Sequence, residues 1–162
     1  YYRLAGPDVG RAIEALGVLA AGLRPVQTDR HASIPGLRLA RSCYDHLAGV
    51  LGVRLCDALV HRDYVSRVGD KFRVTVAGER FFRKVGWWPE SGPGKGERPM
   101  VRTCLDWTER RDHIAGALGA AILSALLQRK WVVRSGEPRV LKLTAAGSRG
   151  LRDSLGFEAE VG

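Results

Sequence analysis

The chain carries one segment twice. "DHLAGVLGVRLCDALVHRDYVSRVG" at 45–69 aligns with "DHIAGALGAAILSALLQRKWVVRSG" at 112–136 without a gap, at an offset of 67. After a two-residue shift, "FRVTVAGER" at 72–80 matches "LKLTAAGSR" at 141–149. A duplicated unit constrains the fold strongly, because whatever one copy forms the other is expected to form as well.

Each copy reads as a short helix, a long amphipathic helix, a β-hairpin and a final helix. Leu47, Leu51, Leu55 and Leu59 make the apolar stripe of the first long helix, and Ile114, Leu118, Ile122 and Leu126 that of the second. Gly49 and Gly52 recur as Gly116 and Gly119. A helical glycine costs roughly 0.5–1 kcal/mol relative to alanine, so the pairs imply a close backbone approach, with the long helices meeting about a pseudo-twofold axis. The hairpins are expected at Tyr64–Arg67 with Phe72–Thr75, and at Trp131–Arg134 with Val140–Thr144. Gly69-Asp70 and Gly136-Glu137-Pro138 supply the turns, and a threonine opens each last helix. The fold class is therefore mainly α with small β-hairpins (α+β).

Ahead of the repeats, a strand-like Tyr1–Leu4 leads into Gly6-Pro7-Asp8, with Asp8 placed to cap a helix. Val9, Ile13, Leu16, Ala20 and Leu23 then recur at a/d spacing for about two heptads, a face for the core or for a second copy of the chain. Between the repeats lies the Gly/Pro-rich "WWPESGPGKGERP", whose Trp87 and Trp88 either plug the join or wall an effector pocket. The expected organisation is 1–35 for the first helix and its flanks, 36–86 for repeat one, 87–99 for the linker and 100–162 for repeat two.

A net charge of +9 permits nucleic-acid contact, but 21 of the 26 basic residues are arginine and most alternate with acids. Charge alone leaves a soluble arginine-rich surface equally open. No apolar run is long enough for a bilayer, and three cysteines without framework spacing suit a reducing compartment. A cytoplasmic protein without a membrane partner is expected. No phosphate loop, nucleophile elbow or HExxH motif occurs, so no enzyme is expected.

"YYRLAGPDVGRAIEALGVLA" resembles the end of the wing and the following helix in ArsR-type winged-helix transcriptional repressors. "RSCYDHLAG", "RPMVRTCLDWTERRDHIAGALG" and "LTAAGSRGLRDSLG" resemble the C-terminal extension of one group of them. The likeness spans nearly the whole chain. It implies the dimerisation and effector-sensing part of a DNA-binding regulator, acting as a homodimer on an unidentified small effector. It places the DNA-reading helix-turn-helix upstream of Tyr1, and lets Tyr2 and Arg3 touch phosphate. The Cys-Val-Cys pattern of the arsenic sensors does not occur. Both repeats then read as degenerate winged helices, since each long helix is continuous and lacks a row of base-reading polar residues. The alternative is a free-standing tandem winged helix that binds nucleic acid through charge, without sequence reading.

The effector candidates are Cys43, His46, Cys104, Trp107 and His113. Asp45 and Asp112 precede the long helices and read as their N-caps, which puts His46 and His113 in the first helical turns. Cys56 aligns with Leu123 and reads as a core residue. Cys43 and Cys104 share an Arg-x-Cys-x-Asp motif, yet Cys43 precedes its histidine by three residues and Cys104 by nine. Three fates remain open for these two thiols: core packing, a thiophilic metal such as zinc completed by histidine, or a redox pair.

Overall fold

The computed structural model describes residues 6–22, 36–90 and 98–157. Its first helix, α1 (Pro7–Gly22), starts on a proline, whose missing N–H costs nothing at that position. Asp8 thus lies inside the helix rather than at its cap. Val9, Ile13 and Leu16 of the a/d seam are exposed, and Leu19 with them. Tyr1–Leu4 and Leu23 lie outside the described residues.

Repeat one runs β1 (Arg41–Cys43), β2 (His46–Ala48), α2 (Gly49–His61), β3 (Val65–Val68), β4 (Lys71–Val74) and α3 (Val76–Lys84). Repeat two follows the same order with β5 (Arg102–Leu105), β6 (Asp112–Ala115), α4 (Gly116–Gln128), β7 (Val132–Arg134), β8 (Leu141–Leu143) and α5 (Ala145–Leu155). The strands form four two-stranded antiparallel sheets, which gives the expected α+β class. The second hairpin of each copy falls where the sequence puts it. The final helices open on Thr75 and Thr144, whose hydroxyls accept from Gly78 N and Gly147 N at 2.9 and 3.0 Å.

The start of each copy differs from expectation. A hairpin stands where a short helix was expected, and the long helix begins four residues after the aspartate, at Gly49 or Gly116, with Ala48 or Ala115 in the cap position. Neither Asp45 nor Asp112 is an N-cap. The first-turn N–H groups are taken by backbone carbonyls instead: Val50 and Leu51 donate to Arg38 and Leu39, Ala117 and Leu118 to Pro99 and Met100. Gly49 and Gly116 make the sharp strand-to-helix turn at φ +79° and +84°. A Cβ on either would sit 2.5 Å from Arg38 O or 2.8 Å from Pro99 O. Glycine is demanded there by both backbone angle and space.

The repeats exchange their first hairpins. β6 of repeat two packs on α2 of repeat one, and β2 of repeat one packs on α4 of repeat two. Backbone bonds stitch the exchange: Leu141 N donates to Ala40 O and Ser42 N to Arg139 O, each at 2.9 Å. On the other side Thr103 Oγ1 donates to Asp70 O, and Arg67 pairs with Asp112. The glycines one helical turn on allow this approach. Gly52 faces the Leu47 carbonyl and His113 Cβ, and Gly119 faces the Ile114 carbonyl and His46 Cβ.

One core results. Leu59, Leu118, Ile122 and Leu126 are at most 1% exposed, each contributing about 1.5–3 kcal/mol by leaving water. Cys56 is buried in that core, as its alignment with Leu123 implied, and burial pushes its thiol up to about 12. Trp87 is fully buried between Phe81 of repeat one and Trp131 of repeat two, its rings meeting theirs edge-on at 5.9 and 6.4 Å. It is the plug.

Candidate metal centre

The two unequal Cys-to-His spacings become equivalent once the hairpins form. In the first hairpin Cys43 pairs directly with His46, and in the second Cys104 pairs directly with His113. Opposed residues of an antiparallel pair project on the same face, so each hairpin presents one thiol beside one imidazole. The extra residues of repeat two are taken up in the tip, where Asp106 N donates to Arg111 O and Arg110 N to Asp106 O.

Exchange of the hairpins then turns the two faces toward each other. Cys43, His46, Cys104 and His113 bring one ligand atom each within 4.8 Å of one another. All four side chains are buried, from 0% exposed at His113 to 7% at Cys104. The Nε2 atoms of His46 and His113 lie 3.1 Å apart, with ring centroids at 5.0 Å. Four of the five effector candidates thus converge, and Cys43, Cys56 and Cys104 form no disulfide.

Both imidazoles carry a carboxylate behind them. Asp45 Oδ1 lies 3.3 Å from His46 Nδ1, and Asp106 Oδ2 lies 3.5 Å from His113 Nδ1. Burial works against ionisation of Asp45, but His46 and Arg98 outweigh it and bring the carboxyl down to about 2. Burial opposes Asp106 as well, and there Arg41 and Thr108 hold it well below the usual carboxylate range. His113 is pulled down to about 3, first by burial and then by the neighbouring His46. It is a neutral ring near pH 7. The Cys43 thiol is pushed far up, first by its hydrogen bond with Cys104 and then by burial.

Asp106 belongs to this neighbourhood too, though the repeat alignment does not single it out. Its Oδ1 accepts from Arg41 Nη2, Thr108 N, Thr108 Oγ1 and Glu109 N, while Oδ2 accepts from Gly49 N at 2.7 Å. The signal was available: Asp45 and Asp106 end the two Arg-x-Cys-x-Asp motifs. Repeat alignment matches Asp45 to Asp112 instead, and Asp112 points away to Arg67.

Trp107 stays outside the cluster. Its ring lies 4.7 Å from the guanidinium of Arg41, so it covers the Arg41–Asp106 pair. Tyr2 and Arg3 lie outside the described residues.

The donor set fits a metal ion. Two thiols and two imidazoles, closed from water and backed by carboxylates, are the ligand types of a tetrahedral S₂N₂ site.

No family model and no solved structure matches the chain. The chain is 40% identical over 147 residues to YdfF of Bacillus subtilis (strain 168), an uncharacterized HTH-type transcriptional regulator. The match covers 91% of this chain and spans 65% of that protein's length.

Proposed function

We propose that this chain is the effector-sensing and dimerisation part of an ArsR-type DNA-binding transcriptional regulator, a repressor, and that its effector is a thiophilic metal ion received at the Cys43/His46/Cys104/His113 centre. One observation carries the reading: each repeat supplies one thiol and one imidazole to a single buried cluster at their join. A ligand there binds one arrangement of the two repeats better than any other, and a signal needs that differential affinity. The likeness to a helix-turn-helix regulator supports the regulatory role. Reading of DNA belongs, on this proposal, to the part of such a protein that the match does not cover. The exposed a/d face of α1 is where a second copy packs. The module receives a signal and catalyses nothing.

Gel-shift assays on the isolated 162-residue chain test the assignment. The expected result is no sequence-selective complex, and at most weak retardation that disappears steeply with salt. Tight, sequence-selective binding by this chain alone overturns it, and makes the repeats themselves the readers.

A further inference from the structure

The centre's geometry narrows the ion further, on the reading just given. The Nδ1 side of each imidazole faces a carboxylate, at 3.3 Å for His46 and 3.5 Å for His113. Asp45, in hydrogen-bond contact with His46 Nδ1, favours the tautomer with hydrogen on that nitrogen, whereas Asp106 stands close behind His113 without a hydrogen bond to it. His46 Nε2 then presents a lone pair to His113 Nε2, 3.1 Å away and at hydrogen-bond distance. That contact is satisfied by a proton on His113 Nε2, or by a cation between the rings that both nitrogens ligate. A proton there engages two nitrogens, whereas an ion engages all four buried donors, whose ligand atoms lie within 4.8 Å of one another.

We infer that the site binds one divalent, tetrahedral, zinc-class ion per chain through Cys43 Sγ, Cys104 Sγ, His46 Nε2 and His113 Nε2, with Asp45 hydrogen-bonded behind His46 and Asp106 3.5 Å behind His113. Dimensions agree. Around a tetrahedral zinc, two nitrogens at about 2.0–2.1 Å stand about 3.3–3.4 Å apart, and two sulfurs at about 2.3 Å stand about 3.8 Å apart. The observed nitrogen separation is 3.1 Å, and all four ligand atoms fall within 4.8 Å. With both sulfurs ionised the site carries two negative charges, which a divalent ion neutralises. Four protein ligands leave no open position, so the ion binds and does not catalyse. All four come from one chain, so the site is complete without a partner subunit.

Cobalt(II) titration of the reduced whole chain tests this. The expected result is saturation at one ion per chain, with a sulfur-to-cobalt absorption band and the visible bands of tetrahedral coordination, all abolished by zinc. Cys43→Ser and Cys104→Ser should remove the sulfur band in part. Asp45→Asn and Asp106→Asn should keep the tetrahedral spectrum and weaken binding about 10–100-fold. Because the wild-type spectrum carries the assignment, a variant that fails to fold does not blunt the test. Saturation at half an ion per chain, or the weak bands of six-coordinate cobalt, overturns it. Binding of copper(I) with cobalt and zinc refused overturns this assignment alone and leaves a thiophilic-metal receiver. Refusal of all three ions overturns both.

Discussion

Arg41 is fully buried and held to Asp106 at 2.8 Å, so each is the other's opposite charge in a place shut off from water. Removing one partner of such a pair costs about 3–5 kcal/mol. Arg41→Ala should therefore lower the unfolding free energy measured in urea by that much, and a change below about 1 kcal/mol would show the pair to be dispensable. Acid acts on the same neighbourhood. His113 titrates near 3 in the folded chain against an ordinary 6.5, so the unfolded chain binds more protons between those values. Stability must then fall as pH drops through that window. The depressed carboxyls of Asp45 and Asp106 add a further loss below the ordinary carboxylate range. Metal-free protein should show a lower urea midpoint at pH 5 than at pH 7, and an unchanged midpoint would contradict the buried neutral ring.

At the scale of elements, the repeat and its second half were legible in sequence because periodicity and turn residues are local. The long helices, the second hairpins and the threonine caps all follow from such signals. The first hairpins were not legible. "RSC" and "HLA" are three-residue strands, too short for alternation to show, and their pairing depends on the other repeat. Capping was misread for the same reason: an aspartate before an apolar run suggests a cap, whereas the real partners are carbonyls brought from residues 38–39 and 99–100. The four converging ligands could be named from residue type, but their equivalence awaited the register that absorbs the longer tip of repeat two.

Gly49→Ala and Gly116→Ala test this junction. Each places a Cβ against backbone at a positive φ, so each should destabilise by about 1–3 kcal/mol in urea unfolding. A neutral outcome in either would mean that the turn is not as described. The junction also touches the centre, because Asp106 Oδ2 is shared between Gly49 N and the neighbourhood of His113 Nδ1. Zinc should shift the Gly49 amide resonance, and Asp106→Asn should diminish the shift. If Gly49 is indifferent to zinc, the centre is not coupled to the start of α2.

For the whole molecule, hairpin exchange makes the two repeats one body, with the cluster at their join. An ion held by both repeats stabilises the folded chain by mass action, about 2.7 kcal/mol at a free concentration 100 times its Kd. Ligand protons must leave for it to bind, so that gain should shrink as pH falls. On the outside, Ile13 and Leu16 are 54% and 64% exposed on α1. On the proposed dimer, Ile13→Asp should leave the fold intact and shift dimer to monomer in sedimentation; an unchanged dimer would place the contact elsewhere, and a monomeric wild type would remove the dimer from the proposal.

A native mass spectrum of the chain, purified under reducing conditions without chelator, weighs the metal directly. The account predicts one zinc-class ion per chain in the wild type and its loss in Cys43→Ser and Cys104→Ser. A folded wild-type chain that carries no ion, and takes none up when zinc is added, would contradict it and return the two thiols and two imidazoles to packing at the join.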